Sequence, residues 1–218
     1  MDQEAKKILS ILIALGIAGL IYYGSYLPYT KSAALVSTMN YLQSGGGNGT
    51  GVTLQDFENS FAALLAIPSP VGQYETIRQL DSTIGSVLAN TTNIPEASAV
   101  ELADFASKYT RPIIDSGTGA NYVQNFVNMG DIYREMGDKY HKKEYYDIAL
   151  QYYQDGLAYS PRRPQFLYGE LSIYTSEQDR ADSINVAKEI VTYWPADKNT
   201  MAILQQLEAA EVSKTPKK

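Results

Sequence analysis

Cysteine is missing from the 218 residues, and histidine occurs once. The first absence excludes disulfides, thiolate catalysis and cysteine metal sites. The second leaves His141 as the only imidazole that a Ser-His-Asp arrangement could use. It lies in the hydrophilic stretch Asp138-Lys139-Tyr140-His141-Lys142-Lys143, which reads as an exposed connection. Positive charge is also scarce: 18 Lys and Arg stand against 24 Asp and Glu, for a net charge of −6 and a pI near 4.9. No broad basic field exists to neutralise a run of phosphates, so nucleic acid is not expected as a partner. Sustained strand-like alternation is lacking too, which predicts an all-α fold, and 44% hydrophobic with 19% charged residues is an ordinary composition for a folded protein.

One apolar run stands out at the N-terminus. Between Lys7 and Lys31 no residue is charged, and Ile8 to Thr30 is an uninterrupted 23-residue stretch. As a helix it spans roughly 35 Å, enough for a hydrocarbon core of roughly 30 Å. Lys6 and Lys7 precede it, and Tyr22, Tyr23, Tyr26 and Tyr29 cluster at its far end, where amphipathic rings favour the headgroup zone. The lysine pair predicts a cytoplasmic N-terminus, a single pass through residues 8–27 and an extracytoplasmic remainder. A cleaved signal peptide fits less well, because the run is long and no Ala-x-Ala follows it.

Beyond Lys31 the pattern is helical. Ala34, Leu35, Met39 and Leu42 recur at helical spacing before the loop Ser44-Gly45-Gly46-Gly47-Asn48-Gly49-Thr50-Gly51, which lacks the lysine of a phosphate-binding loop. Thr53 and Asp56 form an acidic capping box ahead of Leu54, Phe57, Phe61, Leu64 and Leu65, and Pro68 stops that helix. Tyr74, Ile77, Leu80, Ile84, Val87 and Leu88 mark the next helix. Pro95 opens a third, with Ala99, Leu102, Phe105, Ala106 and Tyr109 on one face, closed by Ser116-Gly117-Thr118-Gly119. The organisation expected is a stub and anchor over 1–30, a helical region over 31–118, a repeat region over 119–212 and a basic tail over 213–218.

The repeat region carries the most specific pattern. Phe126-x2-Met129-Gly130-x2-Tyr133, then Ala149-x3-Tyr153, then Pro161, resembles the tetratricopeptide (TPR) pattern W-x2-L-G-x2-Y…A-x3-F…P. Gly130 to Ala149 is 19 positions, where the standard repeat has about 12, so an extended connection over Lys139 to Glu144 is expected. A second, degenerate copy keeps the 34-residue period between Pro161 and Pro195, with Leu167, Leu171 and Tyr174, then Ser183, Ala187 and Ile190. Asn199 onward, with Met201, Leu204 and Leu207 on one face, resembles a terminal capping helix.

The resemblance implies an α-solenoid of TPR-like hairpins behind a single transmembrane helix. Its groove would bind a protein or peptide partner through Gln124, Val127, Asp131, Arg134, Gln165, Tyr168 and Ser172. Asp131 stands where carboxylate-clamping TPR domains carry Asn, which disfavours that ligand class. A fainter resemblance, over Ser60 to Leu65 and Gly72 to Leu80, is to the extracytoplasmic tail of O-antigen ligase or polymerase-like bacterial membrane proteins. It implies an accessory domain of glycan assembly without the catalytic body. The plan is also similar to single-span periplasmic TPR proteins that assist the secretory translocon. No catalytic residue, cofactor or metal is expected: the pair Glu144 and Asp147 sits on the wet side of a helix whose apolar side is Ile148, Tyr152 and Tyr153. The tyrosines Tyr140, Tyr145, Tyr146, Tyr152, Tyr153 and Tyr159 crowd one hairpin and read mainly as packing, with a glycan-stacking face the less favoured role. Asn48-Gly49-Thr50 and Asn90-Thr91-Thr92 fit the glycosylation pattern but belong to a chain of bacterial plan.

Overall fold

The computed structural model describes residues 2–46, 51–118 and 122–212, and among these all regular structure is helical. The glycine-rich run at 47–50, the end of the 116–119 stop signal and the basic tail lie outside the described residues. The described residues form ten α-helices: α1 (Gln3–Ile21), α2 (Leu27–Gln43), α3 (Leu54–Ala66), α4 (Gln73–Asn90), α5 (Glu96–Ser116), α6 (Tyr122–Tyr140), α7 (Lys143–Tyr159), α8 (Pro164–Ser176), α9 (Arg180–Tyr193) and α10 (Lys198–Val212). Two compact units result, divided inside α4 between Leu80 and Asp81.

In the first unit α1 and α2 are joined by a π-helical turn over Tyr22–Tyr26, so the chain is helical for 41 residues from Gln3 to Gln43. Pro28 accounts for the turn: its ring would crowd the carbonyl four residues back, at Gly24, and widening the coil there relieves the clash. The helix is long and apolar enough to cross a membrane, and no residue of α1 is buried. α3 folds back antiparallel on α2, as Lys31 meets Ile67 at one end of the pair and Gly51 N–H bonds the Gly45 carbonyl at the other. Thr53 caps α3 by accepting from Asp56 N–H at 3.1 Å, as the capping box predicts. Phe57, Phe61, Leu64 and Leu65 form its buried stripe.

In the second unit α6 packs on α7, α7 on α8, α8 on α9 and α9 on α10, with α5 against α6. Glycine makes the close approaches between these helices. A β-carbon on Gly130 would lie closer than 3.0 Å to the Tyr153 ring, and so would one on Gly169, so that ring is seated between two helices. Gly137 takes the ring of Tyr146 and Gly156 that of Phe166 in the same way. Tyr153 and Phe166 are fully buried, and Ala149 beside them carries no more side chain than the space admits. Leu167, Leu171, Val186, Ala187 and Ile190 continue the core into α8 and α9.

The expected extended connection over Lys139 to Glu144 is corrected. α6 runs through Tyr140 and α7 starts at Lys143, leaving two linking residues. His141 is a turn residue in the left-handed region, φ 52°, and Gln178 does the same between α8 and α9 at φ 59°.

Gly130→Ala is expected to lower stability by about 1–3 kcal/mol, because the methyl group must displace a buried ring. Gly85→Ala in α4, where a β-carbon meets nothing within 4 Å, is expected to raise it by about 0.5–1 kcal/mol. Urea unfolding of the full chain in mild detergent, followed by circular dichroism, measures both. Equal effects of the two substitutions would refute the packing argument.

Candidate functional site

The polar face of α6 forms the wall of a first cleft. Gln124, Asn128, Asp131, Arg134, Glu135 and Asp138 recur at spacings of three and four, opposite the buried stripe that holds Met129, Ile132 and Met136. With Asp81, Ser82, Gly85, Ser86, Ala89 and Asn90 of α4 facing Asn128, Asp131, Arg134 and Glu135, a cleft of about 280 Å³ opens in the second unit. Its charges are organised around one cation. Arg134 reaches Glu135 at 2.6 Å, Asp138 at 3.2 Å and Asp131 at 3.9 Å. Asp131 also accepts from the Tyr153 hydroxyl at 2.7 Å, so the ring that interlocks the helices anchors a cleft residue. Asp138 accepts from the hydroxyls of Tyr146, 2.7 Å, and Ser176, 3.1 Å.

Two groups remain underused. Asn128 accepts from Gln124 at 2.9 Å, and its buried amide nitrogen lies by the Asp81 carboxyl without a well-formed hydrogen bond. Asp81 is almost fully buried and takes the Thr110 hydroxyl at 3.0 and 2.8 Å on its two oxygens. Burial pushes its carboxyl up to about 7, opposed by hydrogen bonds such as that from Thr110. Asp131 is likewise held above the ordinary carboxylate range by burial, opposed by the Tyr153 hydroxyl.

A second cleft, of about 480 Å³, lies between α8 and α10 and is lined by Tyr168, Leu171, Ser172, Thr175, Ser176, Asp197, Asn199, Thr200 and Ile203. Tyr168 stacks on Trp194 with centroids 6.3 Å apart, and its hydroxyl donates to Asp197 at 2.6 Å. Asp197 also caps α10, accepting from the backbone N–H of Asn199 and Thr200 at 3.1 and 3.2 Å and from the Thr200 hydroxyl at 2.6 Å. Hydrogen bonds from Thr200 and Tyr168 draw its carboxyl down to about 2.

The expected groove residues are therefore divided. Asp131 and Arg134 line the first cleft, and Tyr168 and Ser172 the second. Gln124 is half-buried and accepts from Arg163, and Gln165 is exposed outside either lining. Val127 is 4% exposed and belongs to the core, so its placement in a groove is corrected. Asp81, Asn128, Asp138, Thr175 and Asn199 were not anticipated. Asp138 and Thr175 were within reach of the helical periodicity, since each lies three or four residues beyond an anticipated residue. Asp81 and Asn199 come from other helices and gave no local signal. Glu144 and Asp147 are exposed, with Asp147 bonded to Lys143 at 2.7 Å. Among the described residues no group of three or more His, Asp or Glu side chains is placed to hold a metal ion. Compared with protein-family models, curated proteins and solved structures, the chain gives no match.

The raised carboxyl at Asp81 has a thermodynamic consequence. The unfolded group titrates near its ordinary 3.8, so folding takes up a proton between about pH 4 and pH 7, and stability falls as pH rises through that window. Glu170, which burial and then Glu189 push up to about 7, acts in the same direction. Asp81→Asn keeps an acceptor for Thr110 and is expected to remove on the order of 2 kcal/mol of the decline between pH 5 and pH 8. Urea midpoints of the two proteins at both pH values check this, and parallel declines would exclude the assignment.

Proposed function

We propose that the chain is a membrane-anchored scaffold of the TPR kind, held in a bacterial envelope by α1 with its helical hairpins outside the cytoplasmic membrane, and that it binds a protein partner rather than catalysing a reaction. The observation that carries the reading is the glycine–aromatic interlock, in which small residues at fixed offsets admit rings from the neighbouring helix.

The structure's helix ends also favour a better register for the repeat. Starting one heptad later, Tyr133-x2-Met136-Gly137-x2-Tyr140, then Ala149-x3-Tyr153, then Pro161, follows the pattern with Gly137 and Ala149 12 positions apart. Leu167, Leu171 and Tyr174 then fall 34 residues after Tyr133, Gly137 and Tyr140, so both hairpins share one period. In this register the groove-facing positions of α6 are Asp131, Arg134 and Asp138, and those of α8 are Gln165, Tyr168, Ser172 and Thr175.

The chemistry of the first cleft narrows the partner. Arg134 is surrounded by three carboxylates, so it offers no free cation to an anionic ligand. Asp131, Glu135 and Asp138 outnumber the one cation they surround, which leaves this polar face acceptor-rich and negative, suited to a lysine- or arginine-bearing segment or to backbone N–H donors. A protein partner with a basic segment fits this wall better than an acidic peptide tail does.

The test is photocrosslinking in native membranes from Ser86 and Asn199, one at each cleft, with exposed Glu101 as reference. Capture of one and the same protein from both clefts and not from the reference is expected, with loss of capture above about 0.5 M salt. Recovery of glycan, or equal capture from Glu101, would refute the protein-scaffold reading.

A further inference from the structure

A lysine one residue beyond an apolar run ordinarily stretches its stem so that the amine reaches the headgroups. Lys31 does not. It is 3% exposed, with its amine donating to the Ile67 carbonyl at 3.0 Å and to the Gln73 side-chain oxygen. Ile67 and Gln73 are the two ends of the α3–α4 loop, Ile67-Pro68-Ser69-Pro70-Val71-Gly72-Gln73. A β-carbon built on Gly72 would be 3.9 Å from the Lys31 stem. The loop is therefore pinned at the height where the long helix leaves its apolar run. Helical rise puts Lys31 about 3 Å above Tyr29 and about 7–8 Å above Tyr26 along the axis.

The loop's chemistry suits that height. No charged residue occurs between Glu58 and Glu75. Pro68 and Pro70 have no N–H, which removes two donors that a poorly hydrated layer would leave unsatisfied. The Ser69 hydroxyl donates to the Val71 carbonyl at 2.6 Å and accepts from the Val71 N–H at 3.3 Å, closing a tight turn. That turn leaves Val71 59% exposed at the tip, and Tyr74 beside it is 42% exposed. α3 runs back along α2 toward the anchor, so this end of the pair adjoins the tyrosines at the exit of the span.

We infer that the α3–α4 loop is a second membrane contact, with Val71 and Tyr74 set into the headgroup layer of the leaflet from which α2 emerges. The lipid surface is its partner, in continuity with the surface that surrounds α1. The inference rests on the anchor reading above. Two points of contact, a spanning helix and a loop beside it, hold the first unit at a set angle to the bilayer where one helix alone would let it rotate.

The absence of cysteine makes the test direct. Single substitutions Val71→Cys, Gln55→Cys and Ile17→Cys in the full chain are labelled with an environment-sensitive fluorophore and reconstituted in phosphatidylcholine vesicles. The vesicles contain lipid spin-labelled either at the choline or deep in the acyl chain. Gln55 is exposed at the far end of α3, about 18 Å along the helix from Ile67. The expected result is quenching at Val71 by the headgroup label at least twofold above that at Gln55, with Ile17 quenched by the acyl-chain label. Equal, weak quenching at Val71 and Gln55 while Ile17 is quenched would overturn the loop contact and leave the anchor standing. An unquenched Ile17 would overturn both.

Discussion

The seating of the Tyr153 ring between Gly130 and Gly169 is the contact on which the second unit depends. One aromatic plane on α7 occupies space vacated on both α6 and α8, so three helices are aligned by one side chain. Its hydroxyl then bonds Asp131 on the polar face of α6. Burial lifts the Tyr153 hydroxyl's pKa further above its ordinary value, with Asp131 acting in the same direction. The phenol therefore stays neutral and donates throughout the physiological pH range. Packing and site geometry are thus set by the same residue: if the ring shifts, the carboxylate that lines the first cleft shifts with it.

The same logic recurs at Gly137 with Tyr146 and at Gly156 with Phe166. Tyr146 repeats even the polar half of the arrangement, since its hydroxyl donates to Asp138, about two helical turns from Asp131. A column of tyrosine hydroxyls from α7 thereby holds a column of α6 carboxylates, with Arg134 set among them. The acceptor-rich polar face of α6 is held from the neighbouring helix, and tyrosine at 146 and 153, where phenylalanine would pack as well, has a physical reason: each of these two buried rings carries a donor to the edge of the core.

Helices and their faces were legible before any coordinates, because periodicity, the Thr53 cap and the Pro68 and Pro95 boundaries are local signals. The register was less so. Gly130 and Gly137 are seven residues apart and lie on nearly one helical face, and each receives a ring, so either can be matched to the glycine of a repeat. Choosing Gly130 placed Val127 in a groove and implied a long connection; the two-residue link His141-Lys142 shows why both were misplaced. The clefts themselves are products of tertiary pairing. Asp81 reads as one acidic residue on an amphipathic helix until α5 and α6 cover it, and Asn199 as one polar residue in the first turn of a terminal helix until it joins Thr175 in lining a cleft.

The unbroken helix from Gln3 to Gln43 has a mechanical corollary. Its upper half is bound to α3 and its lower half is lipid-sized, with the π-turn at Tyr22–Tyr26 the only change of coil between them. Under the proposed anchoring a rod of this kind transmits leverage: where a bilayer is thinner and the rod leans to hide its apolar length, the first hairpin leans with it as far as the loop contact beside it allows. Membrane thickness would thereby become an input that orients whatever the hairpin carries.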